Sequence, residues 1–404
     1  MTNKNDQINA EQERKIPVVW RQAFRPFFLA GALFSVLALA AWAAVLTGRV
    51  TFSPYGSASF WHAHEMLFGY VAAIIVGFLL TAVQNWTGLR AIRGRPLILL
   101  FSIWLIARFL MATNLIEQKW IVALVDVSFL PVAGIFMAHL VIKAGNYRNL
   151  FFVPVLILLA VANLLTHLSV ILGDQSYYKW GLYAAVMLVS ALMTVIGGRV
   201  IPMFTANGTG TQKVNPLAWL EKTVLISTWL IAFLYISNTI ALLPTNLLAA
   251  LFAIAAMSHA YRALRWRPWV IWSSPLVWSL HLAYWFLPLG FGLFAMHYFG
   301  VAVSSSTAIH SFTAGAMGSL TFSMIARVSL GHTGRPLVTH PSMTYAFVLI
   351  LLAGLSRLIT GLFPSAFTSN GYMLSAIFWI LAFVIYLLNY VKILVTPRPD
   401  GGPG

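Results

Sequence analysis

The residues able to do chemistry in this chain are few in kind. Ten histidines, nine carboxylates and thirteen methionines are available, and cysteine is absent. Without thiolates the chain forms no disulfide, ligates no iron–sulfur cluster through sulfur and attaches no haem through a Cys-x-x-Cys-His motif. Any metal must be held by imidazole, carboxylate or thioether, and any haem without a covalent link.

The densest group is Trp61-His-Ala-His-Glu-Met-Leu-Phe-Gly69. On a regular helix His62 and His64 point about 200° apart. They share one centre only if the helix starts near His64 with His62 still extended; otherwise each serves a different centre. Met66, one turn after His62, shares its face. Glu65 beside them is a candidate proton relay. A second group is Ala308-Ile-His-Ser-Phe-Thr-Ala-Gly-Ala-Met-Gly318. Its Ser311, Gly315 and Gly318 form a small-residue stripe suited to close helix packing, which sets His310 deep among neighbouring helices. Two further stretches, Gly197 to Asn207 and Arg327 to Arg335, read as tight loops folded back against the protein. Their Arg199, Arg327, His332 and Arg335 either face an anion or simply anchor basic loops. Arg25, in Trp20-Arg-Gln-Ala-Phe-Arg-Pro-Phe-Phe28, is similarly open to both readings.

The elements that position these residues follow from composition. Of 404 residues, 60% are hydrophobic and 8% are charged, with a mean hydropathy of +0.84. A soluble domain carries about 25% charged residues, so soluble and disordered classes are excluded and the chain reads as an all-α polytopic membrane protein. Twelve spans of about 20 residues use about 240 residues, leaving loops too short for a soluble domain. Apolar runs lie near 27–47, 65–84, 96–114, 120–142, 150–172, 180–203, 220–242, 246–264, 275–299, 304–326, 342–363 and 372–395. Residues 1–26 read as a tail and interfacial approach, 27–395 as one bundle and 396–404 as a Pro/Gly-rich tail.

Twenty of the 25 basic residues fall in the tails and alternate loops on one side, and three in the loops opposite. That asymmetry predicts that both termini are cytoplasmic. It also reassigns the net charge of +16: the charge reports topology, and its spread over short loops excludes a nucleic-acid partner. Intramembrane ionisable groups are costly and mark function. Here His62, His64, Glu65, Arg108, Asp126, His167, His297, His310 and Arg357 collect in the outer half. His139, His259 and His281 lie towards the cytoplasm, and His332 and His340 in a cytoplasmic loop. Structural pairing, such as Arg108 with Asp126, is the alternative to a binding site.

The Phe24-Arg-Pro-Phe-Phe28 stretch, the His62 to Gly69 motif, Gly198-Arg-Val-Ile-Pro-Met-Phe-Thr-Ala-Asn207, His281, and His310 through Gly331-His-Thr-Gly-Arg335 together resemble the NnrS family of bacterial membrane proteins. The resemblance implies a twelve-span protein of the bacterial cytoplasmic (inner) membrane that holds haem b non-covalently, contains copper, and acts in nitric oxide metabolism or nitrosative-stress resistance. It does not say which histidine binds which metal. Combined with depth, it makes His62, His64, His310, His281 and His332 the candidate metal ligands. His64 and His310 either face one haem or serve adjacent centres, while His281 and His332 would belong to a second site at a different depth. Arg108, Arg357, Arg25, Arg199 and Arg335 are candidates for haem propionates or a bound anion, and Glu65 for proton transfer in a nitric oxide reductase, which would also need an electron donor. The markers of the haem–copper oxidases, an adjacent His-His pair and a His-Pro-Glu with a following tyrosine, are absent. The competing function is a twelve-helix transporter of a small anion or metabolite, with the same arginines binding substrate and the histidines carrying protons. A weaker third is a factor that hands copper on through His and Met.

Overall fold

The computed structural model describes residues 15–365 and 368–402. The expected tail therefore lies mostly outside the described residues, as do Lys4 and Arg14. The described chain is all-helical. Its long helices are α1 (Phe24–Leu46), α2 (Ala58–Thr87), α3 (Arg95–Ala112), α4 (Lys119–Lys143), α5 (Tyr147–Leu172), α6 (Gln175–Thr209), α7 (Ala218–Ile236), α8 (Thr245–Arg265), α9 (Pro275–Tyr298), α10 (305–332), α11 (Ser342–Leu362) and α12 (Thr368–Val395).

Eleven of these are long and apolar enough to cross a membrane. The twelfth, α10, is as long but carries Ser, Thr, His and Arg, and it is buried along almost its whole length from Gly315 to Leu330. A helix surrounded by protein does not have to satisfy lipid, so hydropathy underrates it. The same contrast separates an inner from an outer set. The most apolar window of α2 is 89% buried and that of α6 72%, against 28% for α1 and 33% for α3 and α12. Outer helices turn large apolar side chains such as Leu37, Phe109 and Leu388 outwards, as lipid requires.

Consecutive helices run up and down, so one end of the bundle carries the start of α1 and the finish of α12; it is called the terminal end here, and the opposite one the far end. The ring closes where α12 packs on α1. There the fully buried Arg25 donates to the carbonyls of Leu394 (2.7 Å) and Thr396 (3.0 Å), groups that the end of α12 leaves unpaired.

Several boundaries differ from the hydropathy reading. α2 starts seven residues earlier than expected, because Ser57 caps it by accepting from the Phe60 N–H at 3.2 Å. The stretch from Gly197 to Asn207 is not a folded-back loop: α6 runs on to Thr209 with Pro202 inside it. Gly198 permits this, since its bare backbone is where the Arg262 guanidinium of α8 lies. Likewise α10 continues to His332, and only 333–341 form the loop.

α2 and α10 share an unusual feature. Each begins with a serine cap (Ser57, Ser304) and a short α-helical stretch ending at a histidine (His64, His310). Each then runs for seven residues as π-helix, Glu65–Val71 and Ser311–Met317, before resuming α-helix. π-Helical insertions are rare and frequent at functional sites. Both lie in the half of the bundle nearest the far end. The carbonyl of Gly69 in the first is taken by Trp104 Nε1 at 2.9 Å. The second packs against α9 and α11: a side chain at Gly315 would meet the Phe286 ring, and Gly354 fits against the Gly315 backbone.

Candidate metal and cofactor centre

Because α2 is already helical at Ala58, His62 and His64 both sit on its first turns and point to different faces. With both on regular helix, neither is extended so as to share one centre with the other.

The His62 face borders a cavity of about 450 Å³ enclosed by α1, α2, α6, α10, α11 and α12. His310 lines it from α10, and Met66, Met317, Met373, Trp42, Tyr70 and Trp379 form much of the rest. Its charged lining residues are Lys179 and Arg357, both cationic. The His62 ring stacks on Trp42 with centroids 4.6 Å apart and 8° between planes, and its Nδ1 is buried without a hydrogen-bond partner. His310 is held differently: its Nδ1 lies 2.7 Å from the Ser306 carbonyl, and the tautomer that donates there has an unprotonated Nε2. Metal-binding histidines are oriented in this way. Arg357 Nη2 lies 3.1 Å from the same Nδ1, the guanidinium stacks 4.2 Å from the Tyr372 ring centre, and its buried Nη1 has no partner. The cavity thus offers two imidazoles with unused nitrogens and a half-buried cation with an unused donor.

The His64 face is the reverse, with almost nothing unused. His64 Nδ1 lies 3.0 Å from Glu65 Oε1, and its Nε2 lies 2.8 Å from Asn163 Oδ1 and 3.2 Å from Asp126 Oδ2. Arg108 from α3 donates to Glu65 through Nη1 and to Asp126 through Nη2. Asn163 Nδ2 donates to Asp126 Oδ2 at 2.7 Å. His167 Nε2 donates to the same oxygen at 3.1 Å, and its Nδ1 lies 3.2 Å from the Tyr55 hydroxyl. All seven residues are buried. A side chain at Gly69 would collide with the Arg108 guanidinium, so the glycine of the motif is what admits the arginine. Two carboxylates against one guanidinium leave the network one positive charge short, and both ring nitrogens of His64 face oxygen acceptors. One donor atom from each of His64, Asp126 and His167 lies within 4.8 Å of the others, and two imidazoles with a carboxylate form a set suited to copper or zinc. Glu65 Oε2 is the one acceptor of the network left without a partner.

Asp126 and His167 stood out in the sequence only as charged or polar residues at outer depth; Asn163 and Tyr55 carried no signal at all. A third network in the terminal half went unsignalled as a unit. Arg262 pairs with Glu221 and donates to the Thr194 carbonyl (2.9 Å) and the Tyr284 hydroxyl (3.3 Å). His259 lies between Tyr284 (2.7 Å) and Thr228 (2.9 Å).

The remaining candidates are dispersed at the terminal end. His281 Nε2 lies 2.7 Å from Thr205 Oγ1, and the half-buried His332 packs near the Phe24 ring. Arg199 donates to Asn149 Oδ1 at 3.1 Å, Arg335 to Thr396 Oγ1 at 2.9 Å, and Arg327 stacks 3.9 Å from the Phe204 ring centre. Arg25 is engaged with the end of α12. None of these lines the large cavity.

The fold and the gathering of ionisable groups inside it define a polytopic helical membrane protein with buried polar centres. The NnrS protein family matches residues 18–398, and the chain belongs to that family, which links it to nitric oxide-related function. No curated protein matches it significantly.

Proposed function

We propose that this protein is a haem- and copper-binding component of nitric oxide metabolism in the bacterial cytoplasmic membrane, with its terminal end on the cytoplasmic side. Haem b fits the large cavity. Its volume of about 450 Å³ lies within the range of about 300–1,000 Å³ usual for cofactor sites. His62 and His310 are the imidazoles available to the iron. Arg357 and Lys179 are the cations available to the propionates, and Trp42, Tyr70 and Trp379 supply apolar and aromatic walls. Bound there, haem would supply an iron centre able to take nitric oxide and exchange single electrons. The chain itself orients the imidazole of His310 through Ser306, keeps a cation beside the site and lines it with methionines and aromatics. The observation that carries this reading is the coincidence, in one cavity, of two imidazoles with unused nitrogens and the partnerless Arg357 Nη1.

Copper fits the neighbouring network, with His64, Asp126 and His167 as ligands and Asn163 and Arg108 holding the carboxylate. Glu65, bonded to His64 and Arg108 and with one free oxygen, is the group suited to hold a proton between the two centres.

The test is the optical spectrum and metal content of the full-length protein purified after haem- and copper-replete expression. A Soret band in stoichiometric amount, lost in His310→Ala, is the expected result. If no Soret band forms, and proteoliposomes instead take up a small anion in an Arg357-dependent way, the cationic cavity is a transport site and the haem reading is wrong.

A further inference from the structure

Between α2, α6, α9 and α10, on the terminal side of the large cavity, lies a second void of about 70 Å³. Its size admits one small molecule and no cofactor. Ile75, Phe78, Leu192, Ile196 and Leu280 are representative of its walls, and Thr321 is its single hydroxyl-bearing lining residue. That hydroxyl is fully engaged: it lies 2.6 Å from Tyr70 OH, and it donates to the backbone carbonyl of Met317. The void therefore offers no polar partner. A buried water needs two to four of them, so water is disfavoured here and an uncharged apolar guest is not.

The void's position gives that property a use. Tyr70 lines the large cavity and Thr321 lines the small one, so their mutual hydrogen bond links the walls of the two. Tyr70 belongs to the π-helical segment of α2, and Thr321 follows that of α10 by four residues. On its other side the void is bordered by the half-buried Phe78, Met193 and Met324, so it approaches the surface of the bundle.

We infer that this void is a docking site for a small uncharged diatomic molecule of the nitric oxide type, one step from the metal cavity, with the Tyr70–Thr321 pair as the threshold between them. This rests on the haem reading above for the destination and on the void alone for the docking. An apolar gas concentrates in hydrocarbon rather than in water, so a lateral apolar approach matches its supply.

The test uses xenon as a probe of the void and carbon monoxide and nitric oxide as probes of the route. Diffraction from crystals of the full-length holoprotein pressurised with xenon is expected to show a xenon atom between Ile75 and Leu192. Ile75→Phe and Leu192→Phe, which fill the void from opposite helices, are expected to remove it. With the Soret band intact, either is expected to slow association of both gases after flash photolysis by about tenfold. Tyr70→Phe, which breaks the bond to Thr321, is expected to speed it. Two substitutions are used so that a folding defect in one leaves the other to report. Absence of xenon from the void overturns the inference, and so does wild-type association in both filled variants. A protein without haem would defeat the haem reading, and the xenon site would still decide the docking.

Discussion

His62 and His64 are two residues apart on one helix, yet they stand in opposite circumstances. On the His64 side every ring nitrogen, both Asp126 oxygens and most of the Arg108 donors have partners. On the His62 side the cavity holds a buried imidazole nitrogen and a buried guanidinium nitrogen with none. Buried polar groups are normally satisfied, and an unpartnered one costs about 1–3 kcal/mol. The lesson is that density of ionisable residues does not by itself locate a ligand. The crowded face pairs nearly all of its own polar groups with one another. The emptier face leaves two buried nitrogens, His62 Nδ1 and Arg357 Nη1, without a partner.

The sharpest way to break the contrast is to separate the two faces by content. His62→Ala should lose haem and keep copper, whereas His167→Ala should lose copper and keep haem; pyridine haemochrome and atomic emission measurements on the same preparations read both. The reverse pattern would exchange the two centres. Next in size is Arg108→Leu, which strands two buried carboxylates and should destabilise the protein by ~3–5 kcal/mol. Arg262→Leu should cost less, because Glu221 retains 27% side-chain exposure; chemical denaturation in detergent compares the two. A smaller effect is expected from Gly315→Val, which drives a branched side chain into Phe286 at the second π-helical segment. It should cost about 1–3 kcal/mol and disturb the haem spectrum more than the copper content. Smallest is Ser304→Ala, which removes the cap on the Thr307 N–H (3.1 Å) at the start of α10. A loss of about 1 kcal/mol is expected, with both metals retained.

Much of the fold was legible in the sequence, and the reason is solvent. Lipid-facing helices must be apolar over a fixed length, so α1 and α12 were readable to within a few residues of Phe24–Leu46 and Thr368–Val395. The inner helices obey no such rule. The far-end start of α2 and the terminal-end continuations of α6 and α10 escaped, because buried polar residues resemble loop residues when only hydropathy is read. At the site, helical geometry already separated His62 from His64, and depth already grouped Arg108, Asp126 and Glu65. What depth cannot express is which helices are neighbours. Asp126 meets His167, and Asn163 meets His64, only because α4 and α5 pack beside α2. The two π-helical segments were also invisible, since Glu65–Val71 and Ser311–Met317 share no composition that distinguishes them from ordinary helix.

The clasp of Arg25 on the last turn of α12 bears on the order of biosynthesis. Arg25 and Leu394 are 369 residues apart, which ribosomes cover in about 20–75 s at about 5–20 residues per second. For that interval the start of α1, with Phe24, Phe27 and Phe28 destined to be fully buried, has no final neighbour on the α12 side. The newborn chain is an open arc of helices whose first member must be sheltered, by lipid or by the insertion machinery, until its last arrives. Truncation before α12 would therefore leave an arc with an unsealed seam, including one wall of the large cavity, rather than a smaller version of the same protein.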